Sequence, residues 1–281
     1  PLRPELCVRC PSTSLNAFIL NGELGQARSR DLWAGAGLTH AAARFSRAAA
    51  ALRARGGMVS DDSWLLIHAA PALGALTANA MFAAPLSEVR RARAARDLST
   101  LAVRVFPAIT ANTLGWCGYA YATADAYIFV SNAPGVLLGF YFMSSALQYG
   151  DLPARRAVER QLLAQSGLCL LVAAVATIAL SSHAATMTVL GSLACFNLLL
   201  LYGAPLSEVA EVLRTRCSGK LMWPLIVASM ANGGLWTAYG LARSDAFIYA
   251  PNAAGVAMAL MQATLKLRFP SGVAGTAKAQ A

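Results

Sequence analysis

The side chains best suited to ligand chemistry occur twice, at equivalent positions that lie 120 residues apart. The pairs are Asn112/Asn232, Trp116/Trp236, Tyr119/Tyr239, Asp125/Asp245 and Asn132/Asn252. An asparagine amide offers a hydrogen-bond donor and an acceptor, and an indole offers a flat apolar face. Together they suit a neutral ring that carries hydroxyl groups. No nucleophile–base pair, phosphate-binding loop or metal-ligand spacing accompanies them, so the sequence predicts no enzyme, no cofactor and no metal site.

The elements that must position these side chains are membrane helices. Of the 281 residues, 57% are apolar and 13% are charged, whereas soluble domains use about 25% charged residues. Seven stretches hold the ~20 mainly apolar residues that a spanning helix needs: 63–86, 98–124, 126–149, 161–182, 184–207, 221–242 and 246–266. Because backbone groups in a bilayer must be paired within each segment, the predicted fold class is an all-α membrane protein with seven transmembrane helices.

Spans 1–3 are a copy of spans 5–7. The hexapeptide at 84–89 recurs unchanged at 204–209. Ten of 21 positions are identical between 116–136 and 236–256. Span 4 stands alone between the two copies.

Basic residues orient the spans. Arginine and lysine are concentrated in the loops after spans 1, 3 and 5 and in the tail after span 7, whereas the even-numbered connections hold only Arg243. The positive-inside rule therefore predicts cytosolic odd loops and a cytosolic C-terminus. Both copies then run in the same direction, as two parallel three-helix bundles joined by an inversion linker helix. The charge sits in short loops rather than on one solvated face, so no nucleic-acid partner is predicted.

Five parts are predicted along the chain. Residues 58–150 form the first triple-helix repeat, 151–182 the linker helix, 183–268 the second triple-helix repeat and 269–281 a cytosolic tail. Residues 1–57 are a basic N-terminal extension with eight arginines and three acidic residues. Its composition is that of an organelle transit peptide, and a variable non-core extension is the alternative. The sequence leaves these two interpretations open.

Residues 63–268 resemble the SWEET family of sugar transporters. The resemblance rests on the three-plus-one-plus-three order of spans, on W-x-x-Y and N-x-x-G in each copy, and on four prolines near the inner ends of spans: Pro85, Pro107, Pro205 and Pro224. A proline inside a helix removes a hydrogen bond and kinks it, so these four are expected to be hinges. The resemblance implies facilitative, bidirectional sugar transport by alternating access.

Eight residues are expected to form the substrate site: Asn132, Asn252, Trp116, Trp236, Asn112, Asn232, Met81 and Leu201. The first two asparagines face each other and bind sugar hydroxyls, and the tryptophans stack on the sugar ring. In the resembled family, the positions of the last four help set the size of the sugar accepted. Two asparagines and two bulky apolar groups narrow the pocket, which favours a hexose over sucrose.

Two tyrosines and two aspartates are expected at the outer ends of the spans. Tyr119, Tyr239, Asp125 and Asp245 are predicted to form an extracytosolic gate that closes through hydrogen bonds between the two bundles. A helix cap is the alternative role for each aspartate. The two roles are compatible.

The coupling mechanism is predicted from an absence. The predicted spans carry no Asp or Glu in their middle, and ion-coupled carriers usually need an intramembrane ionisable group. Facilitated diffusion without a coupling ion is therefore predicted.

Two other functions stay open as alternatives: a PQ-loop carrier of amino acids or other small solutes, and a non-transporting seven-helix receptor of the same fold. The expected partners are a small sugar and the lipid bilayer, and homo-oligomerisation stays open. The expected location is a plasma membrane, with an organelle membrane as the alternative.

Overall fold

The computed structural model describes residues 64–180 and 182–269, which form nine α-helices and short connections. The helices are α1 (Ala70–Ala83), α2 (Leu86–Ala95), α3 (Phe106–Thr123), α4 (Ala126–Tyr149), α5 (Leu152–Ala174), α6 (His183–Leu201), α7 (Gly203–Thr215), α8 (Trp223–Arg243) and α9 (Ala246–Arg268). A π-helical turn, Leu65–Ala69, precedes α1, and another, Val175–Ala179, follows α5. A 3₁₀ turn, Val103–Val105, leads into α3. All these helices belong to the unit that begins at Leu65. The predicted extension, 1–57, and the tail beyond Phe269 lie outside the described residues.

The nine helices make seven spans, because α1–α2 and α6–α7 are each one span with a break. Length and composition alone mark three helical stretches as able to cross a membrane: Leu65–Ala95, Ala126–Tyr149 and His183–Thr215. The other four, α3, α5, α8 and α9, have 18 to 23 residues. Alanine, glycine, polar or charged residues dilute their apolar character, so their assignment as spans rests on their place in the bundle.

Six of the spans form a closed ring. Around the ring, α1 contacts α4, α4 contacts α3, α3 contacts α6, α6 and α7 contact α9, α9 contacts α8, and α8 contacts α1. Exchanging each helix with its repeat equivalent maps this order onto itself. Helix α5 packs outside the ring, against α3 and α4. The predicted fold class, all-α with two three-helix bundles and a linker helix, is confirmed.

The backbone repeats as well as the sequence. In the part of the chain that the structure describes, four non-glycine residues have a positive φ, and all four end helices: Arg96, Arg216, Ala124 and Ser244. The left-handed conformation is a common way for a helix to end, and here it occurs in pairs separated by the 120-residue offset. The helices that follow the second pair begin alike, since Asp125 caps α4 and Asp245 caps α9.

The prolines divide into two classes, which corrects one prediction. Pro85 lies at the break between α1 and α2, and Pro205 lies in the first turn of α7, just after the break at Tyr202. Pro107 and Pro224 lie in the first turns of α3 and α8. A first-turn N–H has no intrahelical partner to lose, so the expectation that these two prolines kink a span is wrong.

Three predicted boundaries also differ. Helix α3 begins at Phe106 rather than near 98, because a turn with the buried Leu98 and Val103 precedes it. Helix α5 begins at Leu152 rather than near 161, because Asp151 caps it there and it continues through the arginine-rich segment. Helix α7 extends to Thr215, past the predicted end of span 5 at 207.

Candidate functional site

A cavity of about 370 Å³ lies inside the ring of six spans. All eight residues predicted for the substrate site line it: Met81, Asn112, Trp116, Asn132, Leu201, Asn232, Trp236 and Asn252. They come from both bundles, so the cavity lies where the two repeats meet. Of the four predicted hinge prolines, only Pro205 belongs to the lining.

Asn132 and Asn252 are held in the same way by their own helices. The Nδ2 of Asn132 donates to the carbonyl of Ile128 at 2.9 Å, and the Nδ2 of Asn252 donates to the carbonyl of Ile248 at 2.7 Å. A carbonyl can only accept, so each amide nitrogen must face it. The Oδ1 of each asparagine is thus left as the acceptor that the side chain brings to the cavity wall.

The glycine of each N-x-x-G makes room for an aromatic ring beside the break in span 1 or span 5. A Cβ at residue 135 would lie 2.8 Å from Cδ2 of Phe82, and a Cβ at residue 255 would lie 2.5 Å from Oη of Tyr202. Phe82 and Tyr202 both line the cavity and are repeat equivalents. Only Tyr202 has a hydroxyl, which donates to the carbonyl of Pro251 at 2.8 Å.

Trp116 and Trp236 lie on the side of the cavity toward the predicted gate. Each is 7% exposed, and each meets a tyrosine one turn later edge to face, with ring centroids 5.9 Å apart. Trp236 also packs over Gly74 of the other bundle, where an added Cβ would lie 3.0 Å from its Nε1. These contacts fix the orientation of both rings.

Asn112 and Asn232 differ in their partners although they are repeat equivalents. The Oδ1 of Asn232 accepts a 3.0 Å hydrogen bond from Thr77 of the first bundle. The Oδ1 of Asn112 is buried and has no hydrogen-bond partner within the described chain, and the residue is 5% exposed. A buried acceptor without a partner costs about 1–3 kcal/mol. The two equivalent asparagines are therefore not equally satisfied by the protein.

The predicted gate residues form two crossed pairs. The hydroxyl of Tyr119 donates to Oδ2 of Asp245 at 2.7 Å, and that of Tyr239 donates to Oδ2 of Asp125 at 2.5 Å. The Oδ1 of each aspartate accepts from the first backbone N–H groups of α4 or α9. Each carboxylate therefore joins the bundles and caps a helix at the same time. Both tryptophans pack with this layer in one buried cluster.

Several lining residues were missed by sequence reasoning, and Glu208 is the most important of them. It lies in α7, which continues span 5 beyond its predicted end, and it lines the cavity. The Nε2 of Gln262 donates to its Oε2 at 3.2 Å. Glu208 lies beyond the predicted end of span 5, so the absence of Asp and Glu from the middle of the spans does not leave the cavity without a carboxylate. The location of Glu208 in the repeated hexapeptide was the only sequence signal for this residue.

A family model described as sugar efflux transporter for intercellular exchange matches residues 72–150 and 188–271, which is more than half of the chain. The curated protein "Sugar transporter SWEET1" of Xenopus laevis is 30% identical over 190 residues, 68% of this chain and 87% of that protein. "Bidirectional sugar transporter SWEET16" of Oryza sativa subsp. japonica is 28% identical, over 69% of this chain and 61% of its own length. A eukaryotic SWEET transporter solved at 3.7 Å superposes with a TM-score of 0.66 and 20% identity, over 73% of this chain and 97% of that chain.

Proposed function

The chain belongs to the SWEET family, and on that premise we propose that it transports a hexose across a membrane in either direction, without a coupling ion. One observation carries the proposal: a single cavity is lined in matched pairs by the two bundles. Each bundle contributes a tryptophan and two asparagines, which are the groups that a neutral, hydroxyl-rich ring can stack on and hydrogen-bond to.

The size of the cavity supports a hexose. Pockets for small ligands commonly measure about 300–1,000 Å³, and about 370 Å³ is near the lower limit. Met81 and Leu201 are repeat equivalents that line the cavity as bulky apolar groups. A disaccharide needs room for a second ring, so we expect it to be disfavoured.

Alternating access is supported by the difference between the two ends of the ring. At the gate end, two Tyr–Asp hydrogen bonds join the bundles above a buried aromatic cluster. The cavity lining extends away from this end to Leu225, Glu208 and Gln262, near the basic loops. The breaks between α1 and α2 and between α6 and α7 give each bundle a place to bend, because the regular helix is interrupted there.

The membrane and the orientation are part of the same proposal. Basic residues are concentrated in α2, at the start of α5, around the end of α7 and at the end of α9, which favours a cytosolic location for that end of the ring. The Tyr–Asp end then faces the extracytosolic side. A plasma membrane is the proposed location. Homo-oligomerisation stays an expectation that transport does not require.

Uptake of radiolabelled hexose and sucrose in cells that lack their own sugar carriers tests this function. We expect hexose to equilibrate without accumulating, sucrose to enter more slowly, and a protonophore to leave the initial hexose rate unchanged. Cells that express the double variant Asn132→Ala/Asn252→Ala at the same surface level are the control. Accumulation that a protonophore abolishes would contradict uncoupled transport, and uptake no faster than in the control cells would contradict sugar transport itself.

A further inference from the structure

One carboxylate gives the cavity its charge. Among the described residues that line it, Glu208 is the only Asp, Glu, Lys, Arg or His. The side chain is half-buried, and Gln262, which is 7% exposed, donates to Oε2 at 3.2 Å. A neutral amide donor holds the carboxylate in place without cancelling its charge.

The basic residues nearby do not neutralise Glu208. Lys220 interacts favourably with the Glu208 carboxylate and Glu211 interacts unfavourably with it, and the ammonium of Lys220 donates to both carboxylate oxygens of Glu211 at 2.8 Å. Within residues 64–180 and 182–269, Lys220–Glu211 is the only ion pair. A negative charge that is half removed from water, without a basic partner, favours a cation beside it.

The charge belongs to one repeat only. The equivalent of Glu208 is Glu88, which is exposed and does not line the cavity, and the equivalent of Gln262 is the apolar Phe142. Internal symmetry therefore does not account for the Glu208–Gln262 pair in the cavity. The repeat also provides a matched control, because the same charge can be removed from the same hexapeptide context at residue 88.

The other polar groups of the cavity also offer acceptors. The amide nitrogens of Asn132 and Asn252 are turned to backbone carbonyls, which leaves their Oδ1 atoms to accept. Acceptors together with one negative charge complement a ligand that has several hydroxyl donors and one ammonium group. A sugar phosphate has the opposite charge and would meet Glu208 unfavourably.

We propose that the cavity binds protonated amino sugars as well as neutral hexoses, with the Glu208 carboxylate as the counter-ion of the ammonium group and Gln262 as the residue that positions it. The inference rests on the proposed function, since it names a further substrate class for the same cavity. An ammonium group adds Coulomb attraction to the carboxylate, which a neutral hydroxyl at the same place does not provide. The amino sugar is therefore bound more tightly than the hexose of the same size.

Uptake of radiolabelled glucosamine, glucose and N-acetylglucosamine tests the proposal, in cells without their own sugar carriers and at a pH at which glucosamine is protonated. We expect a lower KM for glucosamine than for glucose. Glu208→Gln keeps the acceptor for Gln262 and removes the charge, and it raises the KM for glucosamine relative to that for glucose by about tenfold. Glu88→Gln leaves that ratio unchanged, and glucose 6-phosphate does not compete.

Three results would overturn the proposal. The first is a Glu208→Gln variant that weakens glucose and glucosamine transport equally, which would make Glu208 a purely structural residue. The second is an equal shift of the ratio in Glu88→Gln, which would assign the effect to surface charge. The third is glucose transport by the wild type without any transport of or competition by glucosamine. Absence of glucose transport itself would instead overturn the proposed function.

Discussion

Tyr119 of α3 and Asp245 at the start of α9 lie in opposite bundles, and the phenol donates to the carboxylate at 2.7 Å. The repeat supplies the reciprocal bond from Tyr239 to Asp125. Because the other oxygen of each aspartate caps a helix, the hydrogen bonds between the bundles and the start of α4 and α9 depend on the same two side chains. The two functions can be separated by choice of substitution.

Asp125→Asn is expected to weaken the gate and to keep the cap. Asparagine caps helices about as well as aspartate, but it removes the negative charge that strengthens the bond from Tyr239. To measure opening from the gate side, a cysteine is placed at the cavity residue Ser131 in a cysteine-free background. Its rate of labelling by a membrane-impermeant thiol reagent reports how often the gate opens. We expect faster labelling with an unchanged Tm. Asp125→Ala also loses the cap and lowers stability by about 1 kcal/mol. Labelling of Asp125→Asn no faster than the parent would refute the gate.

Asn132→Ala and Asn252→Ala are each expected to reduce hexose uptake about ten- to hundredfold at equal surface expression, since a lost hydrogen bond that leaves polar groups unpaired costs about 1–3 kcal/mol. Asn79→Ala is the matched control. Asn79 also donates to a backbone carbonyl, that of Val130 at 3.1 Å, but it does not line the cavity. Normal uptake by both cavity variants, or an equal loss in the control, would argue against the assigned site.

Gly135→Ala is expected to destabilise the first bundle. The new Cβ would lie 2.8 Å from both Phe82 and the fully buried Thr113, and overpacking of this kind costs about 1–3 kcal/mol. Gly118→Ala is the control, because its Cβ meets nothing within 4 Å and alanine favours a helix over glycine by about 1 kcal/mol. Thermal unfolding in detergent should therefore show a lower Tm than the wild type for Gly135→Ala and no lower Tm for Gly118→Ala. Equal Tm values would show that this glycine is not required for packing.

Asn112→Ser combined with Asn232→Ser is expected to raise disaccharide uptake relative to hexose uptake. Both side chains line the cavity, and serine is shorter at each position. The change at 232 also removes the acceptor of Thr77, so a loss of absolute rate is expected and the ratio of the two uptake rates is the relevant quantity. Leu76→Ser, on an exposed face of α1 outside the cavity, controls for expression. A ratio that falls or stays constant would contradict the size argument.

The sequence determined the repeat, the helical class and eight of the residues that line the cavity. A strict offset of 120 residues paired Asn132 with Asn252 and Trp116 with Trp236, and apolar length required helices because backbone groups cannot stay unpaired in a bilayer. With two copies in parallel, equivalent side chains that face the common axis meet near it. The resemblance to one family then named Met81 and Leu201, which also line the cavity.

The tertiary structure decided the features that depend on where each helix begins and on which residues lie opposite it. Pro107 and Pro224 could be hinges or helix starts until the first turns of α3 and α8 were located. Glu208 sits in the same hexapeptide as Glu88 in the linear sequence, yet only Glu208 lines the cavity. Equivalent residues carry equivalent local signals, whereas burial, charge balance and the unpaired oxygen of Asn112 depend on neighbours that are distant in sequence. Distances in space between such neighbours, which periodicity does not encode, decide which of two identical side chains lines the cavity.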